Sequence, residues 1–270
     1  MPLFQLILLA VIQGVTEFLP ISSSGHLILL PQLTSLADQG QALDVSVHLG
    51  TLGAVILYFW RDVSEAVAGL PRLLRGKLDT PGSRLAFLLI VATIPAIVIG
   101  LVLKVTGIED MMRSAFVIGW TMLIFGIVLW WADQKGPEVK EAREWTLREA
   151  WVLGLWQAVA LIPGTSRSGI TITGARFMGY QRRDAAKVSM LMSVPVIIAS
   201  AVLLGAEVIH DGDVGQLTDV AIATVLAFLS ALLALSLMMR LLKSVSFTPY
   251  VVYRVVLGVF LIWWAWPGRG

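Results

Sequence analysis

Long apolar runs, separated by short polar segments, dominate the pattern along this chain. Five of them carry no charge and approach or reach the roughly 20 residues that a helix needs to cross a bilayer; they are 45–60, 85–103, 114–132, 188–206 and 220–239. A sixth run, 250–266, contains Arg254 near one end. We expect this arginine to extend to the membrane interface, in preference to a buried functional role. The pattern predicts six transmembrane helices.

Two other regions, 2–36 and 151–180, do not fit a simple crossing. In each region, short apolar arms flank a polar stretch, at 17–26 in the first and at 163–169 in the second. Arms of about 10–14 apolar residues are typical of re-entrant or interfacial segments. Irregular backbone at membrane depth must be buried in protein or line a wet cavity. We therefore predict two re-entrant helix–loop–helix hairpins.

The basic residues orient this arrangement in the membrane. Most Lys and Arg fall in 61–84, 133–149, 179–187 and 240–249, whereas 32–44 contains none. Cytoplasmic loops carry an excess of these residues, so we expect the four basic loops inside and both termini outside. The first hairpin then enters the membrane from the outer face and the second from the cytoplasmic face.

This topology divides the single membrane domain into two inverted repeats, 1–132 and 148–267. Each repeat has a hairpin followed by three crossings. Pro-Ile-Ser-Ser-Ser-Gly in the first hairpin is similar to Pro-Gly-Thr-Ser-Arg-Ser-Gly in the second, which is one residue longer, and Gln13 and Gln157 precede them. Inverted repeats with broken helices often build a central site at the bilayer midplane.

Composition supports a membrane protein and excludes several functions. Apolar residues make up 57% of the chain and charged residues 14%, against about 25% charged in soluble domains; the mean hydropathy is +0.82. Ten Trp residues fit the membrane–water interfaces. The absence of cysteine excludes disulfides, thiolate catalysis and Cys-based metal sites. A net charge of +2 gives no reason to expect a nucleic-acid partner.

The first hairpin carries acid–base groups beside a serine cluster. Gln13 and Glu17 are four residues apart and share a helix face, and Pro20 ends that helix. A new helix after the serines would offer free N–H groups to an anion. Glu17 and His26 can transfer protons. Glu17 is also a candidate ligand for Mg²⁺ or Ca²⁺.

The second hairpin adds a cation. The planar, permanently charged fork of Arg167 suits phosphate oxygens. Ser and Thr alone often serve only packing in membrane helices, but an ionisable group there costs about 2.5–3.5 kcal/mol on insertion scales. Glu17, His26 and Arg167 together therefore favour a site for a phosphate carried on a lipid tail. Asp44 and His48 either face this site or form an interfacial pair in contact with water.

At these two stretches the chain resembles the bacterial undecaprenyl-pyrophosphate phosphatase family, also called the bacitracin-resistance family. The likeness rests on Gln13 to Glu17, on Phe-Leu-Pro-Ile-Ser-Ser-Ser-Gly-His ending at His26, and on the motif at 163–169. His48-Leu-Gly-Thr and Met-Ser-Val-Pro195 add to it, and it covers nearly the whole chain.

The resemblance implies a hydrolase that removes the terminal phosphate of undecaprenyl pyrophosphate and so recycles the carrier lipid of peptidoglycan. It also implies dependence on a divalent cation, Mg²⁺ or Ca²⁺, and bacitracin resistance. The protein would reside in the bacterial inner membrane, with its active site open to the outer side, and a homodimer is one possible assembly.

The resemblance also implies residue roles. Glu17 would be the essential acid and a metal ligand, Ser23 the nucleophile, and His26 and Arg167 further catalytic residues. Gln13 stands where some members have Glu, which leaves one carboxylate here. The expected phosphate-site residues are Gln13, Ser22, Ser24, Gly25, Gly164, Thr165, Ser166, Ser168 and Gly169. Ser23 and water remain alternative nucleophiles, and Glu17 and His26 alternative bases.

Three other functions compete with this hypothesis. A transporter or flippase of a polyprenyl phosphate would also use inverted repeats. The acid-phosphatase-like membrane family pairs Ser-Gly-His with Ser-Arg, five residues, His, three residues and Asp. The corresponding later positions here are Thr173 and Phe177, so its histidine nucleophile is missing. A purely structural protein would leave Glu17, His26 and Arg167 without a purpose.

Overall fold

The structure is a computed structural model that describes residues 2–34, 40–108, 112–211 and 217–266. Within these residues the chain is all-helical and contains no β-strand. The α-helices are α1 (Leu3–Phe18), α2 (Ser23–Thr34), α3 (Gln41–Tyr58), α4 (Trp60–Leu73), α5 (Pro81–Thr106), α6 (Ala115–Lys135), α7 (Leu147–Val159), α8 (Arg167–Phe177), α9 (Arg182–Asp211), α10 (Leu217–Leu241) and α11 (Thr248–Trp264).

Five stretches of helix are long and apolar enough to cross a membrane. They are Gln41–Tyr58, Pro81–Thr106, Ala115–Lys135, Arg182–Ala206 and Leu217–Leu241. Each overlaps one of the first five predicted crossings. The sixth predicted crossing falls on α11, which has 17 residues and is one of two shorter apolar helices. The chain is a multi-pass, all-α membrane protein.

Both predicted hairpins consist of two short helices separated by a break. In the first, Leu19 is extended at φ −67° and ψ 143°, as expected for a residue that precedes proline. Residues 19–22, the first loop tip, separate α1 from α2. In the second, residues 160–166, the second loop tip, separate α7 from α8. Helix α7 begins before the predicted boundary because Thr146 and Glu149 form a capping box.

Small residues allow the helices to approach closely. Helix α10 packs against both α1 and α3. A Cβ atom at Gly14 would lie 2.7 Å from the Ala227 carbonyl oxygen, and one at Gly50 would lie 2.3 Å from that of Thr224. Because small residues allow such backbone contact between membrane helices, α1 of the first half is held against α10 of the second. The reverse also holds, since α7 of the second half packs against α5 of the first.

Two features differ from the sequence expectations. The loop 61–84 was expected to be only a connection, but it contains α4, which packs along α5; Gly69 approaches Ser83 so closely that a Cβ would lie 2.2 Å from its nitrogen. The prediction that Arg254 extends to the interface is wrong, because this residue is fully buried. Carbonyl groups around it accept hydrogen bonds from its guanidinium, so it has no need of water.

Candidate functional site

The two loop tips meet inside the protein. Ser168, just after the second tip, donates a hydrogen bond of 2.9 Å from Oγ to the Leu19 carbonyl of the first tip. A Cβ atom on Gly25 would lie 3.5 Å from Cα of Gly164. Gly164 has φ +85°, and a Cβ there would lie 2.2 Å from Oγ1 of Thr121, so only glycine fits this position.

The carboxylate of Glu17 is the centre of the site. Its Oε2 atom accepts hydrogen bonds from Ser23 Oγ at 2.7 Å and from Gln13 Nε2 at 3.0 Å. Its Oε1 atom accepts one from Arg167 Nη2 at 2.7 Å. Only 7% of the Glu17 side chain is exposed, and a buried charge requires this kind of pairing. The structure therefore brings together four of the residues predicted from sequence.

Arg167 connects three helices. It is the first residue of α8, and while Nη2 reaches Glu17 on α1, Nη1 donates to the Ser189 carbonyl of α9 at 3.2 Å. The Ser189 hydroxyl in turn lies 2.6 Å from Oγ1 of Thr171. The guanidinium is thus fixed on both sides, with 15% of the side chain exposed towards the cavity that it lines.

Two serines have equivalent positions in the two hairpins. Ser22 and Ser166 have φ of +75° and +73°, a region that costs about 1–3 kcal/mol for residues other than glycine. The hydroxyl of each accepts a bond from the backbone N–H three residues later, at Gly25 (3.2 Å) and Gly169 (3.1 Å). Both predicted site serines therefore act as helix caps that turn the start of the next helix towards the centre.

The other predicted phosphate-site residues lie around these caps. Ser24 lines the cavity with its hydroxyl 3.5 Å from that of Ser22. Ser168 is buried, with its hydroxyl 3.2 Å from that of Ser166. The buried Oγ1 of Thr165 has no hydrogen-bond partner among the described residues.

His26 is turned away from this cluster. Its Nδ1 lies 2.6 Å from the Ser22 carbonyl, which can only accept, so Nδ1 carries a proton. Its Nε2 lies 2.6 Å from the Tyr253 hydroxyl, and the two rings stack with centroids 5.7 Å apart. In neutral imidazole Nε2 is then an acceptor for this hydroxyl. His26 does not line the cavity, so the structure does not place it with Glu17 and Ser23.

The site opens into a cavity of about 850 Å³. Its polar wall includes Glu17, Ser23, Ser24, Asp44, His48, Arg113, Gln157, Ser166 and Arg167. Its apolar wall includes Ala96, Leu161, Val196, Ile197, Ala201 and Leu204. Of the two alternatives for Asp44 and His48, the structure favours the one in which they face the site. The cavity is amphipathic, as a site for a charged head group on an apolar tail would be.

The residues of the site fit a cation held jointly with an anionic substrate better than one held by protein alone. The described residues contain no group of three His, Asp or Glu side chains that could enclose a metal. Glu17 and Asp44 do line the same cavity. Mg²⁺ is commonly bound by one or two carboxylates together with substrate phosphates, which is the donor set that this cavity offers.

The model of the family described as bacitracin resistance protein BacA matches residues 6–260. The chain belongs to the BacA family.

Relatives of this BacA-family chain match it over almost its full length. Undecaprenyl-diphosphatase of Jannaschia sp. (strain CCS1) is 69% identical across 97% of this chain and 98% of that protein. The protein of the same name from Ruegeria pomeroyi is 68% identical with the same coverage. The one from Chromohalobacter salexigens is 46% identical across 96% of this chain and 98% of its own length.

Sequence reasoning missed several residues of this BacA-family site. Ser189 contributes a backbone carbonyl, which no side-chain pattern reveals. Gln157 was noted only as part of the repeat, but its amide nitrogen bonds the Ala92 carbonyl at 3.2 Å and its buried oxygen has no partner among the described residues. Tyr253 lies in an apolar run and gave no signal. Arg254 was noticeable in the sequence as a charge within a predicted crossing, but we expected it at the membrane interface.

Proposed function

We propose that this chain is an undecaprenyl-diphosphatase, a membrane hydrolase that removes the terminal phosphate of undecaprenyl pyrophosphate. The product, undecaprenyl phosphate, would return to the synthesis of peptidoglycan and other wall polymers, and a high level of the enzyme would confer bacitracin resistance. The observation that carries this proposal is the contact of Glu17 with both Ser23 and Arg167 at the polar end of an amphipathic cavity.

Ser23 acts as the nucleophile and Glu17 as its base in this proposal. Glu17 Oε2 takes the hydroxyl proton while Ser23 Oγ forms a bond to the terminal phosphorus. The phosphoanhydride bond to the lipid phosphate breaks, and undecaprenyl phosphate leaves with the electron pair. A water molecule then hydrolyses the phosphoserine and releases phosphate. The 2.7 Å hydrogen bond between Ser23 and Glu17 supports these roles, since nucleophile and base must lie within such reach.

Arg167 stabilises the charge of the phosphoryl group. Its guanidinium is preorganised by Glu17 and the Ser189 carbonyl, so it needs no rearrangement when charge develops on the phosphoryl oxygens. Helices α2 and α8 both begin directly after the loop tips, and their N-termini add partial positive charge at the site. The apolar wall of the cavity, with Leu161, Ile197 and Leu204, accommodates the first part of the polyprenyl tail.

A divalent cation belongs to the proposal as a partner of the diphosphate. Glu17 and Asp44, which line the cavity, would hold Mg²⁺ or Ca²⁺ together with phosphate oxygens. When bound, such an ion neutralises charge on the phosphoryl group. Because the protein alone supplies few ligands, we expect the cation to bind weakly without the lipid substrate.

We further propose that the two hairpins are re-entrant, that α11 is a sixth crossing, and that the repeats 1–132 and 148–267 are inverted. The helix–break–helix form of both hairpins and their matching serine caps support this topology. The active site would then face the outer side of the inner membrane. Accessibility of introduced cysteines in 32–44 and 179–187 to an impermeant reagent in intact cells tests these assignments, because the chain has no cysteine of its own.

Purified protein in detergent provides the direct test of function. We expect phosphate release from undecaprenyl pyrophosphate by the wild-type protein, loss of release with a chelator, and a Glu17→Ala variant in which turnover falls far more than substrate binding. Hydrolysis needs no gradient, so a protein that only transports lipid would release no phosphate under these conditions. Near-normal release by the variant would remove Glu17 from the mechanism.

A further inference from the structure

Arg254 is a fully buried cation in the centre of the protein, outside the set of residues that contact the proposed substrate. It lies on α11, and five hydrogen bonds of 2.9–3.3 Å surround its guanidinium. All five acceptors are backbone carbonyls, those of Pro20, Thr121, Met122, Gly164 and Thr165.

Three of these carbonyls belong to the loop tips. Nη1 bonds the Pro20 carbonyl of the first tip at 3.2 Å, and Nη2 bonds the Gly164 and Thr165 carbonyls of the second at 3.2 and 2.9 Å. Backbone carbonyls at breaks between helices lack the partners that a continuous helix provides. One guanidinium on α11, which belongs to neither hairpin, therefore satisfies backbone carbonyls of both loop tips.

The space around Arg254 is fitted to its side chain. A Cβ atom at Gly169 would lie 2.8 Å from Nη1, and one at Gly126 would lie 3.2 Å from Cβ of Arg254. The preceding residue on α11, Tyr253, bonds His26, which lies on α2 beyond the first tip. Helix α11 thus holds the first hairpin at two points.

We propose that Arg254 is a positioning residue that fixes the two loop tips against each other, and so sets the distance between Ser23 and Arg167. Pro20 lies three residues before Ser23, and Thr165 lies two residues before Arg167. A displacement of either tip therefore moves one reacting group relative to the other. This inference rests on the proposed function, in which these two groups act on the same phosphate.

The substitution Arg254→Lys tests the inference. Lysine keeps the positive charge but has a single nitrogen, which cannot reach acceptors on both tips and on α6 in the geometry of the planar fork. A displacement of about 1 Å at a reacting group can reduce turnover about a hundredfold. We expect kcat per folded molecule to fall by roughly that factor, and KM for undecaprenyl pyrophosphate to change much less, because the groups that contact the diphosphate are still present.

Arg176 provides a matched control. It is also fully buried and also bonds backbone carbonyls, including those of Asp133 and Gly136, but it lies outside the cavity lining. Arg176→Lys should lower the thermal unfolding temperature without changing kcat per folded molecule. Folded protein is quantified by monodisperse gel filtration and by tryptophan fluorescence. If Arg254→Lys does not fold, Gly126→Ala replaces it, because its new methyl group presses on Arg254 from α6.

The outcomes separate this inference from the proposed function. A wild-type protein that releases no phosphate sinks the proposed function, whereas an active wild type with an equally active, folded Arg254→Lys variant overturns only the positioning role. Equal loss of kcat in the Arg254 and Arg176 variants would also overturn it, since the effect would then follow general stability. A low kcat in Arg254→Lys with normal kcat in Arg176→Lys supports it.

Discussion

Replacing Arg167 with lysine tests whether the site needs a fork or only a charge. The arginine makes two hydrogen bonds from different nitrogens, to Glu17 Oε1 at 2.7 Å and to the Ser189 carbonyl at 3.2 Å. The single lysine nitrogen can keep only one of them. A hydrogen bond to a charged group contributes about 1.5–3 kcal/mol, which corresponds to roughly 10- to 150-fold in rate if it is lost in the transition state. Loss of one preorganised donor to a developing oxyanion costs about 100- to 1,000-fold. We therefore expect kcat to fall by about two orders of magnitude.

The assay measures phosphate release from undecaprenyl pyrophosphate across substrate concentrations, so that kcat and KM are separated. Arg182→Lys is the control, because Arg182 also bonds carboxylates through two nitrogens, Asp133 at 2.7 Å and Glu138 at 2.7 Å, but lies outside the cavity. Its kcat should be unchanged. An Arg167→Lys enzyme with wild-type kcat would refute the reasoning, since charge alone would then be sufficient.

Three further predictions follow from other parts of the structure. Ser23→Ala should lower kcat by at least about a hundredfold, the smallest effect usual for a positioned proton-transfer pair, and should abolish any phosphoserine trapped by acid quenching; a phosphorylated protein in that variant would contradict the assigned nucleophile. Gly164→Ala should reduce both folded yield and activity because its Cβ would lie 2.2 Å from Thr121 Oγ1, and unchanged thermal unfolding would contradict this. Burial and the hydrogen bond to Glu149 raise the pKa of the Tyr180 phenol, so its contribution to stability is complete below about pH 10 and decreases as pH rises further. Thermal unfolding at rising alkaline pH should therefore show a steeper decline in the wild type than in Tyr180→Phe, and identical curves would argue against the shift.

The sequence predicted the parts of the fold that depend on apolar length and on local backbone chemistry. The five long apolar runs became helices because nothing within them competes with helical hydrogen bonding in lipid. The first hairpin breaks at Pro20, which cannot continue a helix, and the second breaks at Gly164, which has a positive φ. Glu17 and Arg167 were expected at one phosphate site because ionisable groups are costly in membrane segments, whereas their direct ion pair was not predicted. The length of the apolar runs, the positions of the charges and the backbone preferences of proline and glycine were sufficient to predict these features.

Features that depend on packing between distant segments were not predictable. Helix α4 (Trp60–Leu73) carries several charges, so a search for apolar runs passes over it. Whether Arg254 reaches water or is buried depends on carbonyls of three other segments, which become neighbours only in the folded chain. The orientation of His26 was not predictable for the same reason, because it depends on a contact with Tyr253 on the distant helix α11.

A short helix of each half, α1 and α7, packs against a long helix of the other half, and this arrangement has a consequence for biogenesis. Helix α1 leaves the ribosome well before its partner α10, and Arg254 on α11 follows later still. Glu17 on α1 gains its ion-pair partner earlier, when Arg167 of α8 has been synthesised. A chain truncated before α11 would keep Glu17, Ser23 and Arg167 but would lack the side chain that bonds both loop tips.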